Sequence, residues 1–169
     1  MSFETALTHV LRVEGGYVNN PDDHGGATNK GITQAVYDAY RNDRDLAPRP
    51  VKQINDGEVA AIYRERYWAV GKCELLPAKL GLVHMDACVN HGPGRAARML
   101  QEAVGATPDG IIGPRTLAAV HAIPEADAVA KYLCLREDFY ARLAAKDATQ
   151  HQFLKGWLWR LDKVREAIA

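Results

Sequence analysis

The chain has 169 residues, with 21 Lys plus Arg against 21 Asp plus Glu, a formal net charge of zero and a pI near 7.0. That balance excludes the classes that find nucleic acid or anionic lipid through global charge and leaves only local patches for such work. With 47% hydrophobic residues, a chain of this length buries roughly two-thirds of its unfolded surface, enough for one compact unit.

The opening "MSFETALTHVLRVEGG" has no basic region followed by an unbroken apolar segment, and no run of 18 apolar residues occurs in the chain. The expectation is synthesis in the cytoplasm without a signal peptide and no stable membrane insertion. Cys73, Cys88 and Cys134 are an odd, scattered set without C-x-x-C spacing. This predicts buried, reduced thiols in place of a disulfide framework or a cysteine zinc site.

In chain order, Ser2 caps a predicted helix whose face carries Phe3, Leu7, Val10 and Leu11 and which Gly15-Gly16 stops. Turn residues dominate from Tyr17 to Ile32, so a small irregular hairpin is expected. Thr33 caps "QAVYDAYRND", and Pro48 and Pro50 break it. Asn55 and Glu58 form a capping box ahead of "VAAIYRERYWAV", ended by Gly71. Pro77, Pro93 and Pro114 each open a helix. In the helix after Pro77, Leu80, Val83, His84, Ala87 and Cys88 share one face. Two long helices, Glu125 to about Lys146 and about Thr149 to Ala167, complete the chain. The fold class is mainly α (α+β) with a minor β element.

The segment "EGGYVNNPDDHGGATNKGIT", Glu14 to Thr33, is the candidate for chemistry. As a calcium loop starting at Asn20 it puts Gly31 where the bidentate Glu is required. As a phosphate loop it follows Gly26 and Gly31 with Ile32-Thr33 where Lys-Ser/Thr is needed. His84 and His91 are seven apart and form no H-E-x-x-H pair, and there is no G-x-S-x-G elbow. What remains is a pair of carboxylates in unlike surroundings. Glu14 falls at the negative end of the first helix dipole, with Val13, Tyr17 and Ile32 as apolar neighbours that would favour a protonated acid. Asp23 lies among polar residues and glycine amides that favour its ionised form, and Thr28 offers a hydroxyl to hold a water. Acid, base and positioned water are what glycosidic hydrolysis by inversion needs. Taken singly, each of these is an ordinary turn or hairpin residue; their grouping behind a helix that places Glu14 makes the case.

These residues, with "IYRERYW" and "VNHGPGRAARMLQEAVGATPDGIIGPRTL", resemble the glycoside hydrolase family 108 muramidases of phage endolysins and bacterial secretion-activator proteins over almost the whole chain. The resemblance implies a lysozyme-like fold, Glu14 as catalytic acid, and the β-1,4 bond between N-acetylmuramic acid and N-acetylglucosamine in peptidoglycan as substrate. Related phage-type lysozymes use Glu, Asp and Thr in order, which Glu14, Asp23 and Thr28 resemble. The second gap is one residue short of that pattern, and Asp22 is the rival to Asp23. From about Gly92 the chain resembles the family's predicted peptidoglycan-binding region, with "DGIIGPRTL" as hallmark. The implied division is residues 1–91 as catalytic lobe and 92–169 as helical lobe, packed as one unit.

Tyr17, Tyr67, Trp68 and Asn90 are the candidate substrate-binding residues. Aromatic rings suit sugar stacking, although core packing competes for two of Tyr63, Tyr67 and Trp68. Asn90 and His91 compete between cleft and helix-end roles, and Trp157 and Trp159 are read as packing residues of the last helix. No metal, cofactor or nucleic acid is expected. The chain is expected to be a monomer that reaches the periplasm or cell wall by a holin or a dedicated export partner. The competing function is a non-catalytic peptidoglycan-binding or secretion-assisting protein. A zinc amidase or peptidase is a third.

Overall fold

A computed structural model describes residues 1–19 and 26–169. Helix α1, Phe3–Val13, begins where Ser2 Oγ accepts from the Thr5 amide and ends at Glu14, whose amide donates to Val10 O. Its buried face is Phe3, Ala6, His9 and Val10. The spacing predicted an apolar stripe; the surprise is a histidine within it.

Strands β1, Thr28–Asn29, and β2, Ile32–Thr33, pair antiparallel with Thr28 opposite Thr33 and Asn29 opposite Ile32. Lys30 and Gly31 between them have φ of 50° and 73°, the two left-handed residues of a tight hairpin turn whose twist matches the strands. Val18 bridges to Thr28 through two backbone hydrogen bonds of 2.8 Å, so the chain returns beside the end of α1. Asn29 Nδ2 donates to Val51 O at 3.2 Å, and Tyr63 Oη donates to Lys30 O at 2.9 Å. The hairpin is therefore pinned from both sides.

Helix α2, Gln34–Asn42, is capped by Thr33 as expected. Helix α3, Asp56–Tyr63, has the full Asn55–Glu58 capping box and continues as a wider π-helical segment, Arg64–Ala69. Glu58 also accepts from Tyr37 Oη and Arg41 Nη1, tying α3 to α2. Single 3-10 turns lie at Val51–Gln53, Cys73–Leu75 and Ala148–Gln150.

Helix α4, Ala78–His91, is buried at every position from Leu80 to Cys88. It packs on α1, on α5 (Pro93–Ala103), on α7 (Glu125–Lys146) and on α8 (His151–Ile168). The one-faced helix read from its spacing is thus corrected to a central rod, because neighbours surround it. Helix α6, Pro114–His121, touches α7. One hydrophobic cluster runs from Phe3 to Ile168, and α8 also packs on α1, so the two ends of the chain meet. Among the described residues the result is mainly α with one two-stranded sheet, as the sequence predicted. No described helix is long and apolar enough to cross a membrane.

The "DGIIGPRTL" segment is organised from within. Gln101, buried on α5, donates from Nε2 to Asp109 Oδ1, Ile111 O and Thr116 Oγ1, and its Oε1 accepts from the Gly110 amide. Gly110 has φ of 85°, and Arg98 packs against it where a Cβ would come within 3.2 Å of the guanidinium carbon. Ile111 is 69% exposed at the tip of the loop.

Candidate active site

Glu14 stands where α1 stops, its backbone turned to the extended conformation (φ −77°, ψ 149°). Its side chain, 21% exposed, faces a cation from the far end of the chain: Arg160 Nη1 on α8 donates to Glu14 Oε1 at 2.7 Å. The other side of the carboxylate meets the hairpin turn. A Cβ on Gly31 would lie 3.0 Å from Glu14 Oε2 and 2.5 Å from Tyr63 Oη. Gly31 is thus required twice, by its left-handed backbone and by the close approach of the glutamate and the tyrosine.

Tyr63 is buried, and Tyr67 lies beside it with ring centroids 5.4 Å apart. Burial raises both hydroxyl pKa values, and the Glu14 charge acts in the same direction on each. Both phenols therefore stay neutral beside the glutamate.

Behind Glu14 lies a buried ionic cluster. Asp86, fully enclosed on α4, accepts from Arg136 Nη2 on Oδ2 at 2.6 Å and from Arg160 Nε on Oδ1 at 3.0 Å. Arg160 Nη2 and His9 Nε2 approach the same Oδ1 at 2.9 and 3.5 Å without hydrogen-bond geometry. Burial alone disfavours the Asp86 carboxylate, but Arg136 and Arg160 outweigh it and hold its pKa well below the usual range. Burial likewise works against the Arg160 charge, and Asp86 and Glu14 reverse the sign, so its pKa is raised. Two guanidiniums face two carboxyl groups, and Glu14 is the outermost member of the set.

At the next layer Arg136 Nε donates to His91 Nε2 at 3.3 Å, and Tyr140 Oη donates to Asn90 Oδ1 while lying 3.2 Å from the same His91 nitrogen. Burial and then the Arg136 charge lower the His91 pKa to about 3, which leaves a neutral ring.

The predicted site residues divide on this geometry. Glu14, Tyr67 and the β1 residue Thr28 are gathered around the hairpin and the end of α1. Tyr17 is 42% exposed, with Lys52 Nζ 5.4 Å from its ring centroid. Trp68 is 8% exposed and meets Phe3 edge-on at 5.6 Å, which puts its ring in the core. The Asn90 side-chain oxygen is engaged by Tyr140. Asp22 and Asp23 lie outside the described residues. Trp157 stacks on Tyr140 at 5.1 Å, in keeping with a packing role, whereas Trp159 is half exposed. Cys134, expected to be buried, is exposed on α7.

Arg160, Asp86, Arg136 and Gly31 were missed by the sequence reading. Their signal was present in a weak form. Arg160 precedes buried Leu161, Val164 and Ile168, and Arg136 follows Tyr132 and Leu133 at the same helical face. Asp86 sits in the apolar run "LGLVHMDACV". A lone charge on an otherwise apolar face demands a buried partner.

A family model described as Glycosyl hydrolase 108 matches residues 7–92, and one described as Predicted Peptidoglycan domain matches residues 95–162. The chain belongs to glycosyl hydrolase family 108. It is similar to the solved structure of SagA from Brucella abortus, with 37% identity, a TM-score of 0.82, and coverage of 98% of this chain and 92% of that one. A comparison with curated proteins found no match. The two matched regions support a peptidoglycan-related, lysozyme-like glycoside hydrolase. Their boundary falls at Gly92, between α4 and α5, while the Arg160–Glu14 pair joins the second region to the first.

Proposed function

We propose that the protein is a muramidase that cleaves the β-1,4 bond between N-acetylmuramic acid and N-acetylglucosamine in bacterial peptidoglycan. The observation that carries this reading is the setting of Glu14: a carboxyl group at the end of α1, held by Arg160 through one oxygen, with Gly31 leaving room beside the other. Glu14 gives a proton to the leaving glycosidic oxygen, and Arg160 stabilises the carboxylate that this leaves. Asp23, with Thr28, orients the attacking water or stabilises the oxocarbenium-like transition state, and Asp22 is the alternative to Asp23. The chemistry calls on no metal or cofactor. Residues 92–169 form the second wall of the cleft and contribute Arg160 to it, and Tyr17 and Tyr67 contact the glycan. The protein works as a monomer on the wall after release through a holin or an export partner.

The test is digestion of purified sacculi followed by mass spectrometry of the muropeptides. Products with new reducing N-acetylmuramic acid ends, lost in Glu14→Gln, support the reading. Sedimentation with sacculi and no new reducing ends in the unaltered protein would overturn it in favour of a non-catalytic wall-binding protein.

A further inference from the structure

The three-dimensional fold brings together a second set of chemically competent side chains that sequence spacing did not reveal. Cys73, His84 and Cys88 are all buried, and one ligating atom from each lies within 4.8 Å of the others. His84 and Cys88 are one helical turn apart on α4, and Cys73 comes from the 3-10 turn Cys73–Leu75 that packs on it.

We propose that Cys73, His84 and Cys88 form a three-ligand site for one thiophilic d10 cation, either three-coordinate Cu(I) or Zn(II) with a water as its fourth ligand. The His84 Nε2 to Cys88 Sγ distance is 3.6 Å. A tetrahedral ion with metal–sulfur near 2.3 Å and metal–nitrogen near 2.0–2.1 Å has a nitrogen-to-sulfur edge of about 3.6 Å, so this pair already has the required span.

The imidazole is oriented for the task. Tyr132 Oη donates to Ala96 O at 2.9 Å, so it accepts from His84 Nδ1 at 2.8 Å. Nδ1 therefore carries the proton and Nε2 turns its lone pair to the sulfurs, the arrangement in which an outer partner fixes a ligating histidine. The fit extends to the backbone. A Cβ on Gly71 would stand 2.7 Å from Tyr67 O, 2.8 Å from Cys88 Sγ and 3.1 Å from Cys73 Sγ, so glycine alone keeps this notch open. Two thiolates and a neutral imidazole around Zn(II) sum to zero charge, which an enclosed apolar site tolerates. Binding releases the two thiol protons. The ion would clamp the turn after the π-helical segment to α4 two residues from Asp86, without entering the glycosidic chemistry.

The experiment uses the full chain carrying Cys134→Ser, which removes the exposed thiol, after reduction and stripping with a chelator. Co(II) serves as the spectroscopic probe, with Zn(II) and Cu(I) titrated separately to decide which ion is preferred. The expected result is one equivalent bound per chain, thiolate-to-cobalt charge-transfer absorption, and a rise in Tm with the preferred ion. Tyr132→Phe, which keeps all three ligands, should weaken binding about 10–100-fold. The titration of the parent protein needs no ligand variant, so a Cys88→Ser chain that fails to fold does not obscure it. Absence of stoichiometric binding by either ion overturns the proposal. So does undiminished binding in a folded Cys73→Ala/Cys88→Ala chain, or an intact mass 2 Da low under native conditions that shows a Cys73–Cys88 disulfide.

Discussion

Arg160 Nη1 donates to Glu14 Oε1 at 2.7 Å while the Nε of the same guanidinium donates to buried Asp86 at 3.0 Å. One planar side chain thus fixes the glutamate's orientation relative to the central helix. A lysine keeps the charge, but its three donors radiate from a single nitrogen and do not span two separated carboxyl groups as the planar guanidinium does. Arg160→Lys should therefore lower kcat on sacculi or soluble glycan, by roughly tenfold or more, with a smaller change in KM, because misplacement of a reacting group acts mainly on the chemical step. Asp86→Asn leaves buried Arg136 without a counter-charge and Arg160 with Glu14 alone, and should cost about 3–5 kcal/mol of stability in denaturant unfolding. Equal kcat in the Arg160→Lys and parent proteins would remove the positioning role.

Glu14→Gln retains an acceptor for Arg160 and removes the transferable proton. The expected outcome is a loss of about 10²–10⁴-fold in turnover, the range for a general acid, with an unchanged circular dichroism spectrum. Parallel Asp22→Asn and Asp23→Asn variants separate the two aspartates, since the true partner loses far more turnover than its neighbour.

Gly31→Ala introduces both a backbone penalty and a steric one. The left-handed conformation costs a non-glycine residue about 1–2 kcal/mol, and the added methyl meets Tyr63 Oη at 2.5 Å and Glu14 Oε2 at 3.0 Å. Thermal unfolding should shift downward. Activity should fall by more than the loss of folded protein explains, because the methyl occupies the space next to the carboxylate.

Acid should destabilise the fold before carboxylates in ordinary surroundings are protonated. His91 has a folded-state pKa of about 3 against an unfolded value of about 6.5. Between these values the unfolded chain binds more protons, so stability falls as pH falls. The penalty is absent above about pH 6.5, grows through the interval and is complete near pH 3. Asp86, whose pKa is depressed, acts with the same sign at still lower pH, where the stability from its ion pairs is lost. In a plot of Tm against pH, His91→Asn should flatten the slope between pH 6 and about 4 relative to the parent chain. An unchanged slope would rule out His91 as its source.

The "DGIIGPRTL" loop hangs on Gln101. Gln101→Met keeps the side-chain volume and removes the side-chain partner of the half-buried Gly110 amide and of the buried Thr116 hydroxyl, while exposed Asp109 retains the Ile111 amide. The cost should be about 1–3 kcal/mol in urea unfolding, the range for a buried polar group left unpaired. Sacculus binding by the folded fraction should change little if the loop's shape serves packing, and its loss would assign the exposed Ile111 tip to the wall.

Local signals carried most of the secondary structure. Ser2, Thr33 and the Asn55–Glu58 box start helices because their side chains satisfy amides within three residues, and Pro77, Pro93 and Pro114 open helices through their fixed φ. Nothing beyond the immediate neighbours is needed, so those starts were legible. Glu14's place at the end of α1 and the hairpin after it follow from the same kind of information. The all-round burial of α4 does not, because a periodic pattern records the faces that are apolar and not how many neighbours will cover them.

The sequence by itself determined the helix order, the hairpin, Glu14 as the candidate acid and the family resemblance. Tertiary structure decided what surrounds that acid: an arginine 146 positions away, a glycine and tyrosine from two other elements, and an aspartate reachable only through a central helix. It also decided that Cys73 meets His84 and Cys88. The physical reason is shared by the charged and polar members of this set. Burying a charge or a polar atom requires a partner in space, and the chain encodes that requirement in single unpatterned residues whose partners are identified only when the helices pack.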